Sequence, residues 1–144
     1  MKILFVCTGN TCRSPMAKAI AEDYCKNRFD FEIDSAGLFI NDIDGVSNNA
    51  VMAMKEMGID ISDHIPTQLT LDIADNADII VPMTKNHALT LFSYGISEDK
   101  IKPLGAEIPD PYMCDIDVYR KCRDVLKEEI EKMLEGMVEN DTKA

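Results

Sequence analysis

Short apolar runs alternate along the chain with longer stretches in which apolar residues recur every three or four positions. Each run has the length and the flanking turn residues of a buried strand. Four strands are predicted in this way, at Lys2 to Cys7, Phe31 to Ala36 with Gly37 after it, Asp78 to Met83, and Lys100 to Leu104.

The stretches between these runs have the periodicity of amphipathic helices. Ser14 to Lys26 is predicted as a helix, with Ser14 as a capping residue, and Ser47 to Met57 as another that Ser47 caps and Gly58 ends. Thr70 and Thr84 are expected to cap two more helices, and the last helix is expected to begin near Asp115.

Strands and helices that alternate at these lengths predict an α/β fold, with a parallel sheet covered by helices on both faces. We therefore expect residues 1–144 to form a single domain around a four-stranded parallel sheet. Ligands bind such folds beyond the carboxyl ends of the strands. The loop after the first strand is therefore the first place to look for a site.

Charge narrows the classes of partner. Asp and Glu number 26 against 15 Lys and Arg, a net charge of −11, which disfavours binding to nucleic acids or to anionic membranes. No apolar run approaches the length of a membrane span, and Lys2 is followed by a strand pattern instead of a signal peptide. A cytoplasmic location is expected.

Cysteine and histidine usage argues against a disulfide framework and against a zinc site. The chain has 5 cysteines at irregular spacing, with no Cys-x-x-Cys pair, and 2 histidines. No metal and no other cofactor is expected.

The candidate chemistry lies between the first strand and the first helix, in Cys7-Thr8-Gly9-Asn10-Thr11-Cys12-Arg13-Ser14-Pro15. Backbone N–H groups of such a loop converge on one point, and the helix N-terminus adds positive potential there. This field favours the thiolate of Cys7, a nucleophile, and Arg13 offers a planar fork for two phosphate oxygens. The phosphate-binding residues are then Thr8, Gly9, Asn10, Thr11, Cys12, Arg13 and Ser14.

The same residues have an ordinary structural interpretation, in which Cys7 ends a strand, Gly9-Asn10 forms a turn and Arg13 lies on the surface. Their joint placement favours the phosphate cradle. A cation at the start of a helix opposes the helix dipole, unless an anion lies between them.

A thiolate that attacks phosphorus needs a proton donor for the leaving group, and a loop that closes over the substrate can supply it. Asp110 lies between Pro109 and Pro111, and Tyr112 adds an aromatic wall two residues later. Asp110 could alternatively be a turn residue only.

Together, the Cys7 to Pro15 loop, the Asp34-Ser35-Ala36-Gly37 segment and Asp110-Pro111-Tyr112 before a long last helix resemble the low-molecular-weight protein tyrosine phosphatases, over nearly the whole chain. The resemblance implies that Cys7 is the nucleophile, Arg13 the phosphate clamp, and Asp110 the general acid and then the general base. It also implies that Ser14 hydrogen-bonds the Cys7 sulfur and that Asn10 maintains the strained shape of the loop.

In this family Cys12 can trap Cys7 as a reversible disulfide under oxidation, so the resemblance implies redox regulation through Cys7 and Cys12. Simple packing of a small side chain is the alternative for Cys12.

The residues beside the cradle bear on the substrate. Thr11 and Thr84 stand where tyrosine phosphatases of the family commonly carry a bulky aliphatic and an acidic residue, and the loop string and the Met83 to His87 segment resemble the protein arginine phosphatase branch. The short polar side chain of Thr11 suits a guanidinium, which favours phosphoarginine in proteins as the substrate. The expected product is inorganic phosphate. Tyr112 favours the alternative, a tyrosine phosphatase.

Two further alternatives are less favoured. Thioredoxin-linked arsenate reductases share the cradle, and the Ala50 to Ser62 stretch resembles them, but they need two further cysteines after the third strand, and residues 78–94 contain none. An anion-binding protein without activity would not need Asp110. His64 and His87 are assigned no catalytic role.

Overall fold

The computed structural model describes residues 1–41 and 45–143, with side chains as far as residue 138. Its elements, in chain order, are β1 (Lys2–Cys7), α1 (Arg13–Cys25), β2 (Glu32–Gly37), α2 (Asn48–Lys55), α3 (Leu71–Asn76), β3 (Ile79–Pro82), α4 (Lys85–Ser93), a 3-10 helix (Glu98–Lys100) and α5 (Ile116–Lys143).

The strands form one parallel sheet in the order β2-β1-β3. β1 is central, and its register pairs Cys7 with Gly37 on one side and Val6 with Pro82 on the other. Residues 3–7 of β1 are all buried, as the continuous apolar run predicts for a strand covered on both faces.

The prediction of a fourth strand at Lys100 to Leu104 is wrong, because the sheet in the described part of the chain has three strands. This run makes one parallel bridge, between Ile80 and Ile101, with Lys102 N donating to Ile80 O at 2.9 Å. The ladder cannot extend, since Lys100 belongs to the 3-10 helix and the next β3 residue that faces this run, Pro82, has no N–H to donate to the Lys102 carbonyl.

Helices cover both faces of the sheet, as predicted. On one face Ile3, Phe5 and Cys7 join a core with buried residues of α1, α2 and α5. On the other, Leu4 and Val6 pack with residues of α3 and α4. This alternation follows from the two-residue period of β1 and leaves the carboxyl end of the sheet between the two layers.

The helices begin near the positions that the sequence predicts, but two of the predicted capping residues make no capping bond. Thr70 and Thr84 cap α3 and α4, each accepting a hydrogen bond from the backbone N–H three residues later. Ser47 precedes α2 but makes no capping bond with its side chain, and Ser14, predicted as a cap, lies inside α1. Both hydroxyls are used in the site described below.

Among residues 1–41 and 45–143, no helix combines the length and the apolar character that crossing a lipid bilayer requires.

Candidate active site

The loop that joins β1 to α1 forms one wall of a cavity of about 190 Å³. Cys7 is the last residue of β1 and Arg13 the first of α1, so that both elements end at the cavity. Its lining includes Cys7, Thr8, Gly9, Thr11, Cys12, Arg13, Phe39, Asn41, Asp110 and Tyr112. The fold thus gathers the predicted nucleophile, clamp, acid and specificity residues in one place, while Asn10 and Ser14 lie buried behind the loop.

Backbone carbonyls of the loop are bound from outside it. Those of Cys7 and Thr8 accept from the N–H groups of Leu38 and Phe39 at 3.0 and 2.9 Å, and that of Thr11 accepts from Ser47 N at 2.9 Å. In a trans peptide the N–H of the next residue points the opposite way, and the described chain has no cis peptide. The amides that follow these carbonyls therefore point away from the outside partners, which leaves them available to an oxyanion in the cavity.

Asn10 holds the loop from behind. It is fully buried and has a φ of 56°, in the left-handed region that asparagine tolerates better than most residues. Its Nδ2 donates to the hydroxyls of Ser14 and Ser35 at 2.7 and 3.0 Å, and its Oδ1 accepts from Thr67 N at 2.9 Å. The loop shape is thus fixed by side-chain contacts to β2 and to the segment before α3.

The Ser14 hydroxyl lies 2.9 Å from the Cys7 sulfur. Because this hydroxyl oxygen already accepts from Asn10 Nδ2, its own hydrogen can be donated to Cys7 Sγ. A hydrogen bond donated to sulfur stabilises the thiolate, the form that attacks phosphorus. Asn10, Ser14 and Cys7 therefore form a directional chain of hydrogen bonds that ends at the nucleophile.

Arg13 connects the cradle to the segment that carries Asp110. It is 5% exposed, its Nη1 donates to Ile108 O at 3.0 Å, and its Nη2 lies 3.6 Å from Asp110 Oδ2. Ile108 N in turn donates to Met83 O at 2.9 Å, which attaches the segment to the end of β3. Asp110 is thus held at the cavity edge, where its half-exposed carboxyl can exchange protons with water.

The sequence model of one protein family, the low molecular weight phosphotyrosine protein phosphatases, matches residues 2–143 of this chain. The chain belongs to this family. It is accordingly an enzyme of the phosphatase class, a hydrolase of phosphoric monoesters or phosphoamides.

Individual members that resemble this phosphatase differ in activity. It is 37% identical over 144 residues to the protein-arginine-phosphatase of Geobacillus stearothermophilus, covering 94% of this chain and 95% of that protein. It is 36% identical over 143 residues to the arsenate reductase of Brevibacillus brevis, covering 92% and 93%. The low molecular weight protein tyrosine phosphatase from T. tengcongensis superimposes with a TM-score of 0.89 at 39% identity, covering 94% of this chain and 99% of that chain.

Two histidines without an assigned catalytic role, His64 and His87, contact the loop between β1 and α1. His64 Nε2 lies 3.0 Å from Asn10 O and 3.2 Å from Asn10 Oδ1, and since both are acceptors, this nitrogen carries the proton. His87 Nε2 lies 2.8 Å from Thr8 Oγ1. Burial lowers the pKa of both imidazoles, and for His87 the positive charge of Arg13 adds to burial and brings the pKa to about 4.

A sequence signal existed for His87 alone. Thr84 caps α4, and a capping residue at the carboxyl end of a strand places the following helical turn beside the ligand-binding edge of the sheet. His87 is three residues beyond this cap. The contact of His64 with Asn10 joins residues 54 positions apart, and no local sequence pattern predicts it.

Cys12 lies on the inner side of the loop with its thiol bound to α5. Its sulfur is 3.3 Å from the Tyr119 hydroxyl and 3.5 Å from Thr11 Oγ1. The Tyr119 oxygen accepts from the Ser47 hydroxyl at 3.0 Å, so that its own hydrogen can be donated to Cys12. Burial raises the pKa of the Cys12 thiol, which keeps it protonated until its surroundings change.

Thr11 and Tyr112 both line the mouth of the cavity, together with Phe39. Phe39 and Tyr112 are exposed aromatic side chains, at 67% and 51%. The lining of the cavity thus combines exposed aromatic surface with the short polar side chain of Thr11.

Among residues 1–41 and 45–138, no three or more His, Cys, Asp or Glu side chains are grouped so as to hold a metal ion.

Proposed function

We propose that this phosphatase hydrolyses phosphoarginine in proteins through a phosphocysteine intermediate. The observation that carries the proposal is the single cavity in which Cys7, Arg13 and Asp110 meet, with Thr11 in its lining. The electrostatic work falls to Arg13 and the loop amides, which face the three equatorial oxygens of the phosphoryl group.

In the first step the Cys7 thiolate attacks phosphorus and the P–N bond to the arginine side chain breaks. Asp110 gives its proton to the departing nitrogen, so that the arginine side chain leaves as a neutral guanidine and not as an anion. Ser14 stabilises the thiolate before attack through its hydroxyl hydrogen. The products of this step are the free protein side chain and phosphocysteine at Cys7.

In the second step Asp110, now a carboxylate, removes a proton from water. The water oxygen attacks phosphorus, the S–P bond breaks, and inorganic phosphate and the Cys7 thiolate are released. The proton that Asp110 gave in the first step is thereby regained, and the site returns to its starting state.

Thr11 favours phosphoarginine over phosphotyrosine. A guanidinium group has N–H donors that need an acceptor in a closed site, and the Thr11 oxygen supplies one, whereas a phenol ring gains nothing from it. The likeness to the protein-arginine-phosphatase of Geobacillus stearothermophilus supports the same choice.

A tyrosine phosphatase is the second candidate, because Phe39 and Tyr112 offer exposed aromatic surface at the cavity mouth. Arsenate reduction is less favoured despite the relative in Brevibacillus brevis, because a disulfide relay needs further accessible cysteines. Such a relay needs two of them, and of the cysteines outside the loop in the described part of the chain Cys114 alone is exposed. Cys25 and Cys122 are buried, and burial raises the pKa of Cys122 to about 12, which leaves it unreactive.

Thr11→Ile tests the substrate assignment. The change removes the hydroxyl and adds apolar surface, so activity on phosphoarginine should fall and activity on phosphotyrosine should rise. A hydrogen bond left unmade in a closed site costs about 1–3 kcal/mol, or roughly ten- to a hundredfold in selectivity. The measurement is the ratio of kcat/KM values on the two substrates, with Thr11→Ser as the control that keeps the hydroxyl. A wild type that prefers phosphotyrosine refutes the arginine proposal and leaves the phosphatase mechanism standing.

We also propose that Cys12 protects Cys7 from irreversible oxidation. A peroxide oxidises the Cys7 thiolate to a sulfenic acid and is itself reduced to water, and the Cys12 thiolate then displaces hydroxide from Cys7 to form the disulfide. Mild hydrogen peroxide should inactivate the wild type reversibly, with full recovery on adding a thiol. Cys12→Ser should recover poorly, whereas Cys25→Ser should behave as the wild type. Mass spectrometry of the oxidised protein without a Cys7–Cys12 linkage would refute this role.

A further inference from the structure

His87 is a buried imidazole that the two-step mechanism does not use. Its side chain packs against the phosphate loop, with Nε2 2.8 Å from Thr8 Oγ1, and 6% of the residue is exposed. Among the described residues, its other ring nitrogen, Nδ1, is buried and has no hydrogen-bond partner. A buried polar atom without a partner costs stability, so its retention next to a catalytic loop calls for a functional reason.

The unpartnered Nδ1 determines which ring nitrogen carries the proton. Burial and the charge of Arg13 hold the pKa of His87 near 4, so the ring is neutral and has one N–H. With the proton on Nδ1, a buried N–H donor would be left without an acceptor. With the proton on Nε2, the N–H is donated to Thr8 and only a lone pair stays unpaired, which is the less costly defect.

The Nε2–H tautomer fixes the role of the Thr8 hydroxyl. Its oxygen accepts from His87, so its hydrogen must be donated in another direction. Thr8 is exposed and lines the cavity beside Cys7 and Arg13. The opposite tautomer would turn that hydrogen toward His87 and present oxygen lone pairs to an anion in the cavity, which is repulsive.

We propose that His87 is a positioning residue that makes the Thr8 hydroxyl an obligate hydrogen-bond donor to an oxygen of the phosphoryl group in the cradle. The inference rests on the proposed function only in that a phosphoryl group is bound there. It does not depend on whether the leaving group is a guanidinium or a phenol. His87 thereby adds a side-chain donor to the loop amides and Arg13.

The first experiment measures competitive inhibition by inorganic phosphate and by vanadate in Thr8→Val, His87→Leu and the double variant. Each single change should raise both inhibition constants by about tenfold, the value of one hydrogen bond to a charged oxygen. The double variant should be no weaker than Thr8→Val alone, because His87 acts through Thr8. Thr8→Ser, which keeps the hydroxyl, and His87→Gln, whose amide nitrogen reaches the Nε2 position, should bind both anions nearly as the wild type does.

The second measurement is nitrogen NMR of the His87 ring in the wild type near neutral pH, where the proton should be found on Nε2. A proton on Nδ1 overturns the proposal. So do additive effects in the double variant, which would mean that His87 acts on the loop independently of Thr8. Unchanged inhibition constants with a lower kcat on substrate would assign the Thr8 hydroxyl to the leaving group and overturn it too.

Thermal unfolding of each variant separates positioning from folding. His87→Leu removes the unpartnered Nδ1, so a fully folded variant with weakened anion binding is the expected result. If His87→Leu is poorly folded, the comparison of His87→Gln with Thr8→Val and the NMR tautomer still decide the question. Failure of the phosphatase proposal would appear separately, as direct phosphate and vanadate binding, measured by calorimetry, that responds to Thr8 and His87 without turnover of any phosphorylated substrate.

Discussion

Asp110 is the residue whose chemistry can be isolated most directly. Its Oδ1 accepts from Tyr112 N at 3.0 Å and its Oδ2 faces Arg13, so an amide of the same shape should leave the loop in place. Asp110→Asn removes the proton supply, and the loss should be about 10²–10⁴-fold on substrates with poor leaving groups. Activated aryl phosphates, which leave without a proton, should lose much less. The dependence of kcat on leaving-group pKa measures this, and an equal loss on all substrates would indicate a structural role for Asp110.

Residues with local sequence signals were the ones that sequence analysis could find. Cys7 and Arg13 lie six positions apart in one loop, and Asp110 lies between two prolines, so their placement follows from short-range pattern. His87 and Thr8 are 79 positions apart and meet only because β1 ends, and α4 begins, at the same edge of the sheet. The Thr84 cap indicates that His87 lies near this edge. The contact with Thr8 itself depends on packing between distant segments, which one sequence does not specify.

At the scale of elements, the end of β2 approaches the phosphate loop so closely that a small substitution there should displace the loop. A Cβ on Gly37 would lie 2.9 Å from Thr8 O and 3.0 Å from the backbone nitrogen of Asn10. Because both atoms are backbone, Gly37→Ala must shift the loop, and a misplacement of about 1 Å in a catalytic site costs on the order of a hundredfold in rate. We expect that loss in kcat/KM, with weaker vanadate binding.

Gly45→Ala is the matched control for this prediction, because a Cβ at Gly45 meets nothing within 4 Å. Activity of Gly37→Ala equal to that of Gly45→Ala would show that the loop tolerates displacement. The Asp34 to Gly37 segment is thus explained physically: its last residue must be small because the cradle rests on it.

Elements were predicted well where pattern and packing agree. β1 and β3 follow continuous apolar runs, β2 follows the predicted segment Phe31 to Ala36 with its polar Glu32, Asp34 and Ser35, and Thr70 and Thr84 begin helices as expected. The run at Lys100 to Leu104 has the composition of a strand, but the 3-10 helix before it and Pro82, which ends β3 and has no N–H to donate, leave one bridge. Ser47 occupies the predicted N-cap position of α2, whereas Ser14 lies inside α1. Neither side chain makes a capping bond, since their hydroxyls bind Tyr119 and Cys7 instead of helix N–H groups.

In the molecule as a whole, the cradle is the point where both helical layers meet the sheet. α5 reaches the loop through Tyr119 and Cys12, and α4 reaches it through His87 and Thr8, from opposite faces of β1. The loop therefore depends on the packing of the entire domain. Substitutions that destabilise the whole domain should therefore first loosen the geometry of the loop at the anion site.

This arrangement makes the stability of the protein dependent on pH through its buried histidines. The pKa of His87 falls from an ordinary 6.5 to about 4 on folding, and that of His64 is lowered as well. Between these values the unfolded chain binds more protons than the folded one, so the free energy of unfolding decreases as pH falls. The histidine contribution is fully present above about pH 6.5 and is lost on the way down to about pH 4.

Urea unfolding of the wild type and of His87→Leu at about pH 7.5 and about pH 5 measures the effect of His87. The wild type should lose about 2 kcal/mol more than His87→Leu between the two pH values, because the variant has no proton to take up at this position. Titration of His64 and of the carboxylates is common to both proteins and cancels in the difference. The net charge of −11 becomes less negative on acidification, which alone would relieve repulsion and stabilise both proteins. Equal responses of the two proteins would therefore mean that His87 is protonated as readily in the folded state as in the unfolded chain, and the neutral, donating imidazole beside Thr8 would have to be abandoned.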